Sequence, residues 1–242
     1  MKSKYLKYTV FIITFLLFTE QLLGQVDELR LEYVYFDDIV GEENTSLYQG
    51  ILHLEKYRTI NENKQFFKSS KFYNGTIWYE GQPYFNQKIK YDVFEDGLLL
   101  KLKEEVGGGI LKVVKANVDS FKIDEHNFIN IGLSNSSDDV QPGFYEVIFE
   151  SVTASLCVKH NKNIIKKKNE KFGYYEFVDA PKTYVLFYED MYYKLNSKKS
   201  VLRLFPQHEL QINEYYKKSR KTLNKNKDLF MIELMRKIKS IY

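Results

Sequence analysis

The 242 residues include 44% hydrophobic and 28% charged side chains, a balance that supports a packed core and excludes a disordered tail. A formal net charge of +4 hides an asymmetry: residues 25–155 hold 13 basic and 22 acidic side chains, residues 156–242 hold 20 and 9. One cysteine, Cys157, excludes an internal disulfide, and its apolar neighbours in "TASLCVKH" read as core rather than nucleophile.

Residues 1–24 have the plan of a secretory signal peptide. Lys2, Lys4 and Lys7 precede the apolar run "TVFIITFLLF", and Gly24 supplies a small-residue exit. Glu20 ends the run short of the ~20 apolar residues that a membrane-crossing helix needs. In "LLGQ" the place of a lipoprotein cysteine is held by Gln25. The expected mature chain is therefore exported, periplasmic or extracellular, soluble, not a lipoprotein and without a transmembrane span. Export sets nucleic acid aside as the partner of the basic half.

Residues 25–64 form an N-terminal segment, partly strand. Its acidic stretch "FDDIVGEENTS", with Asp37, Asp38, Glu42 and Glu43, lacks the alternating oxygen ligands of a calcium loop and reads as a solvated loop. Residues 65–196 read as an antiparallel β body, to which twenty Tyr and eighteen Phe are suited. "TIWYE" is a short strand, and "GQP" turns the chain. In "KIKYDVF", Ile89, Tyr91 and Val93 alternate with Lys88, Lys90 and Asp92, the period of a half-buried strand. "EDG" signals a hairpin into "LLLKLKE", and the glycines 107–109 turn into "ILKVVKANV". "SFKID" and "HNFINIG" continue a meander. "FYEVIFE" places Tyr145, Val147 and Phe149 on one face. After "TASLCVKH" comes a basic loop, "NKNIIKKKNEK"; then "YYEFV" and "KTYVLFYE" flank a "DAP" turn, and "MYYKL" closes the group.

Residues 197–242 change period. "SKKSVLRLF" is a short helix stopped by Pro206. Ile212, Tyr215, Tyr216 and Ser219 lie on one face of a second helix, and Met231, Leu234, Met235 and Ile238 on one face of a third, capped by Asn226. The fold class is α+β: a mainly antiparallel β body, whether meander, sandwich or open barrel, with C-terminal α-helices covering it.

The series "KFYNGTIWYEGQPYFNQKIKYDVFEDGLLLKL", "VDSFKIDEHNFINI" and "GFYEVIFE", with the closing "YYKLNSKKSVLRLFPQHELQINEYYKKSRKTLNKNKDLFMIELMRKI", resembles a set of secreted or periplasmic proteins of Bacteroidota. The resemblance spans most of residues 65–240. It implies fold and location, and transfers no catalytic residue.

Chemistry is sparse. His53, His126, His160 and His208 form no H-x-x-x-H pair, and the "DEH" trio Asp124, Glu125 and His126 reads as a solvated turn rather than a metal site. No G-x-S-x-G elbow fixes a nucleophile, and the triple glycine opens no helix as a phosphate loop would. No catalytic residue, metal or cofactor is expected. The leading expectation is a non-catalytic cell-envelope protein acting by binding, its partner an anionic envelope component or another envelope protein. Lys166, Lys167 and Lys168 are the candidate contacts to an anionic partner. The alternative is a carrier of a small apolar or lipid ligand within the β body, lined by Trp78, Tyr79 and Phe94. A hydrolase is the third reading.

Overall fold

The computed structural model describes residues 30–238, apart from Asp38, Glu42, Glu43, Asn61, Asn63, Glu105, Val106 and Leu133. The expected leader, residues 1–24, lies outside the described residues. So do three of the four acids in "FDDIVGEENTS". The fourth, Asp37, is buried within helical residues, α1 (30–37 and 39–40), where a loop was expected.

The chain is α+β as its patterning indicates, with eleven strands among the described residues in one antiparallel sheet and helices at its C-terminal end. The strands are β1 (Ile51–Leu52), β2 (Tyr73–Tyr79), β3 (Gln82–Asp92), β4 (Gly97–Lys101), β5 (Ile110–Lys112), β6 (Val118–Ile123), β7 (His126–Ile131), β8 (Gly143–Glu150), β9 (Ala154–Lys168), β10 (Gly173–Tyr188) and β11 (Met191–Lys194). The helices are α2 (Lys198–Leu204), α3 (Glu209–Lys218), α4 (Arg220–Lys225) and α5 (Lys227–Lys237). Spatial order is β1-β5-β4-β3-β2-β6-β7-β8-β9-β10-β11. Two meanders are therefore joined where β6 passes β5 by and pairs with β2. Asn130 secures that crossing, its amide donating to the carbonyls of Lys115 and Val118 at 2.9 and 2.8 Å.

Local chemistry explains most of these elements and corrects five of the expectations. The first turn is Glu80–Gly81, one residue earlier than "GQP". Both residues have positive φ, the two-residue geometry whose twist suits a hairpin, and Pro83 already pairs with Trp78. On β3, Ile89 and Tyr91 enter the core, but Lys90 and Asp92 are buried too, because Phe66 pairs with Asp92 and lies against Lys90. Lys90 Nζ lies 3.9 Å from the ring centre of Phe66 and 4.5 Å from that of Phe72. On β8 a bulge between Val147 and Phe149 interrupts the alternation, so Phe149 packs with the helices while Tyr145 and Val147 face the opposite side. Both the "basic loop" and the "DAP" turn lie inside strands: β9 runs on to Lys168, and β10 carries a bulge between Ala180 and Thr183. Asn161 donates to the Pro181 carbonyl at 2.8 Å across that bulge.

The sheet curls strongly. β3 and β8 stand four places apart, about 19 Å in a flat sheet. Yet Asp96, in the β3–β4 turn, accepts hydrogen bonds from Lys159 of β9 (2.6 Å), Lys115 (2.6 Å), Tyr91 (2.8 Å) and the backbone N–H of Phe144 in β8 (3.3 Å). Phe94 meets Phe177 of β10 at 5.1 Å, with Tyr57 edge-on to both.

The concave face holds two apolar clusters. The first gathers rings of β3, β6, β7 and β8, with Phe121 stacked on Phe128 at 4.7 Å. The second joins Leu156, Val158, Tyr184 and Leu186 of β9 and β10 to the helices through Val201, Phe205, Ile212, Phe230, Met231 and Leu234. α2 begins with a capping box at Ser197 and Ser200, and Asn226 caps α5 by accepting from the Leu229 N–H at 3.0 Å. A smaller cluster on the convex face contains the buried Cys157.

Candidate functional site

Between the two clusters the concave face turns polar. Phe144, Glu146 and Ile148 share one side of β8, and the middle residue is an acid in an apolar phase. Phe144 belongs to the first cluster, and Ile148 packs against the second. The pairings Phe128↔Glu146 and Glu146↔Val158 set His126 of β7 and His160 of β9 diagonally to either side of the carboxylate. Glu146 accepts from Nδ1 of His126 on one oxygen and from Nε2 of His160, at 2.6 Å, on the other. An ionised carboxylate only accepts, so the ring nitrogens that face it carry protons. Burial opposes the charge of Glu146, but the bonds from His160 and His126 outweigh it and hold its carboxyl below the usual range. Phe67 packs edge-on against both imidazoles, 5.0 Å from each.

This trio forms part of the wall of a cleft of about 490 Å³. Also lining the cleft, Lys162 pairs with Asp179 at 3.0 Å, and Lys182 with Asp228 at 2.6 Å. Asp228 stands in the first turn of α5 and also accepts from the Tyr184 hydroxyl at 2.6 Å. Lys68, on the same wall as Phe66 and Phe67, pairs with Asp124 at 3.0 Å. None of the described residues lining the cleft is a serine, threonine or cysteine. Among the described residues no group of three or more His, Cys, Asp or Glu side chains is arranged to hold a metal ion. The arrangement supplies hydrogen-bond donors, acceptors and two imidazoles to a polar ligand, with apolar edges from Val93 and Ile148.

The residues suggested by sequence fall elsewhere. Tyr79 is buried in the first cluster and its hydroxyl accepts from Asn117 at 3.1 Å; half-buried Trp78 points to the other face of β2. Phe94 lies beyond the far end of β3 from both, so the three are not brought together. Lys166, Lys167 and Lys168 are brought together, exposed at the end of β9, with Lys167 paired to Glu176 at 2.6 Å. Sequence reading set His126 aside as part of a turn and gave Glu146 and His160 no role. The available signal was phase: each occupies an inward position shared with Phe128, Phe144 or Val158.

Set against known protein families, curated proteins and solved structures, the chain matches none. Among the described residues no helix is long and apolar enough to cross a membrane.

Proposed function

We propose that this is an exported protein of the cell envelope that acts by binding an anionic envelope component rather than by catalysis. The plan of residues 1–24 and the resemblance to secreted proteins of Bacteroidota support export. One observation carries the binding: β9 and β10 continue as a two-stranded arm beyond Glu146↔Val158, the last rung shared with β8, and lysines crowd its end. There Lys166, Lys168 and Lys171 are exposed, and the guanidinium of Arg58 lies 3.4 Å from the ring centre of Phe172. Such a tip meets a negative surface by charge, with strong dependence on salt. What favours this over an apolar carrier is the concave face itself, where stacked and edge-on rings occupy the space a lipid chain needs.

Co-sedimentation with phosphatidylglycerol and phosphatidylcholine vesicles tests the proposal. The protein is expected to bind the anionic vesicles at low ionic strength and to leave them at high salt. Changing Lys166, Lys167 and Lys168 to Gln is expected to weaken binding roughly ten- to a hundredfold, near 1 kcal/mol per exposed lysine with less from the paired Lys167. Absence of binding at low salt, or affinity unmoved by the triple change, rejects the proposal.

A further inference from the structure

We propose that the cleft between the two apolar clusters is a separate binding site for a small oxyanion, a ligand bearing a carboxylate or phosphate group, held by His126 and His160 in acid and released toward neutral pH. The juxtaposition behind it is one buried carboxylate shared by two imidazoles on a cleft wall.

Each ring gives one N–H to Glu146. The opposite nitrogens, Nε2 of His126 and Nδ1 of His160, are bare acceptors while the rings are neutral and become N–H donors once they are protonated. Both rings line the cleft, their side chains 34% and 17% exposed, so neither is sealed from it. An imidazole is the side chain whose charge changes between about pH 5 and 8. While both rings are neutral the trio carries one negative charge, which repels an anion. With both rings protonated it carries one positive charge and two outward donors.

The other charged groups at the cleft do not cancel this reversal. Lys162 on β9 is matched by Asp179 on β10, and Lys182 on β10 by Asp228 of α5. Lys68 from the segment before β2 is matched by Asp124. These pairs add ammonium donors near the site while leaving its net charge to the trio. Glu146 remains ionised through this range, since its carboxyl is held below the usual value. The apolar edges of Phe67, Val93 and Ile148 limit water around the trio, where a charge counts for more than in bulk solvent. A volume of about 490 Å³ admits a small ligand.

Sulfate, whose charge is constant over this range, is the probe. In protein carrying 15N-labelled histidine, sulfate is expected to move the ring signals of His126 and His160. Its affinity at about pH 5.5 is expected to exceed that at about pH 8.0 by about tenfold or more. Equal affinity at the two pH values overturns the proposal, as do ring signals that stay fixed while only amides of the β9–β10 arm respond. Because His160→Gln strips one partner from a buried carboxylate and endangers the fold, Glu146→Gln is the second variant. Without the carboxylate the rings lose support for their charge, and the binding profile is expected to move to lower pH; an unmoved profile counts against the site. The Lys166, Lys167, Lys168→Gln variant is expected to keep the sulfate response, which separates this site from the vesicle-binding tip.

Discussion

Asp92 shows how a single covered side chain acquires a pH dependence that its position in a strand does not announce. Alternation along β3 assigns it to water, yet Phe66 pairs alongside it and it is 2% exposed. Burial pushes its carboxyl up to about 6, against the opposing hydrogen bond from the Glu95 N–H at 2.9 Å. Its folded value lies above the unfolded 3.8, so the folded state holds this proton more tightly. Stability from this group therefore grows as pH falls through about 6, is complete below 3.8, and is absent above 6, where a buried charge is left. Asp92→Asn keeps an acceptor for the Glu95 N–H and removes the charge. It is expected to stabilise the protein by about 1–3 kcal/mol at pH 8, with the gain fading by pH 4. Thermal melts across that range decide it, and a lower melting temperature at pH 8 contradicts the account. Cys157 was legible where Asp92 was not: its apolar neighbours in sequence are also its neighbours in space, and burial pushes its thiol up to about 12.

At the scale of elements, what was legible followed from signals carried within a few residues. The terminal helices are such a case, since apolar spacing and the caps at Ser197 and Asn226 are local, although the brief α4 between α3 and α5 was not anticipated. The β9–β10 arm is the counter-example. "NKNIIKKKNEK" has no clear alternation, because beyond Val158 the two strands pair only with each other and their further contacts come from distant residues: the Tyr175 N–H donates to the Arg58 carbonyl at 2.9 Å, and Phe177 packs on Tyr57 and Phe94. Register pairs Ile164 with Phe177 and Lys166 with Tyr175, a pattern visible only once the partner strand is known. The arm's stability should therefore grade along its length. Hydrogen exchange is expected to be fastest for amides between Lys166 and Tyr175 and slowest around Val158 and Tyr184, where the sheet and helices close over both strands. Uniform protection from tip to base would show that the Arg58 and Tyr57 contacts hold the arm as firmly as the sheet and helices hold its base. The candidate cleft was illegible for a related reason: His126, Glu146 and His160 come from three strands, and no spacing in the chain ties them together.

For the molecule as a whole, the antiparallel β body with a helical end was readable from period and turns, whereas the curl and the β5–β6 crossing were not. Both depend on side chains meeting across many residues, with Asp96 at their centre. Burial opposes the charge of Asp96, and Lys159 and Lys115 more than compensate, holding its carboxyl below the usual range. Gly143 makes room for this clasp. Its φ of +141° strains any other residue, and a Cβ there collides with Asp96 Oδ2 and Lys159 Nζ. Gly143→Ala is expected to cost about 2–4 kcal/mol by parting the β3–β4 turn from β8 and β9, read by chemical denaturation. A change within about 0.5 kcal/mol shows that the curl does not depend on the clasp.

The clasp also has a consequence in time. The β3–β4 hairpin is local and can form early, but Lys159, which neutralises its aspartate, lies 63 residues further along. In a polypeptide that emerges amino end first, Asp96 waits for β9, and the early strands expose their aromatic side until it arrives. A chaperone that shields this half-built sheet would have its longest task in that interval.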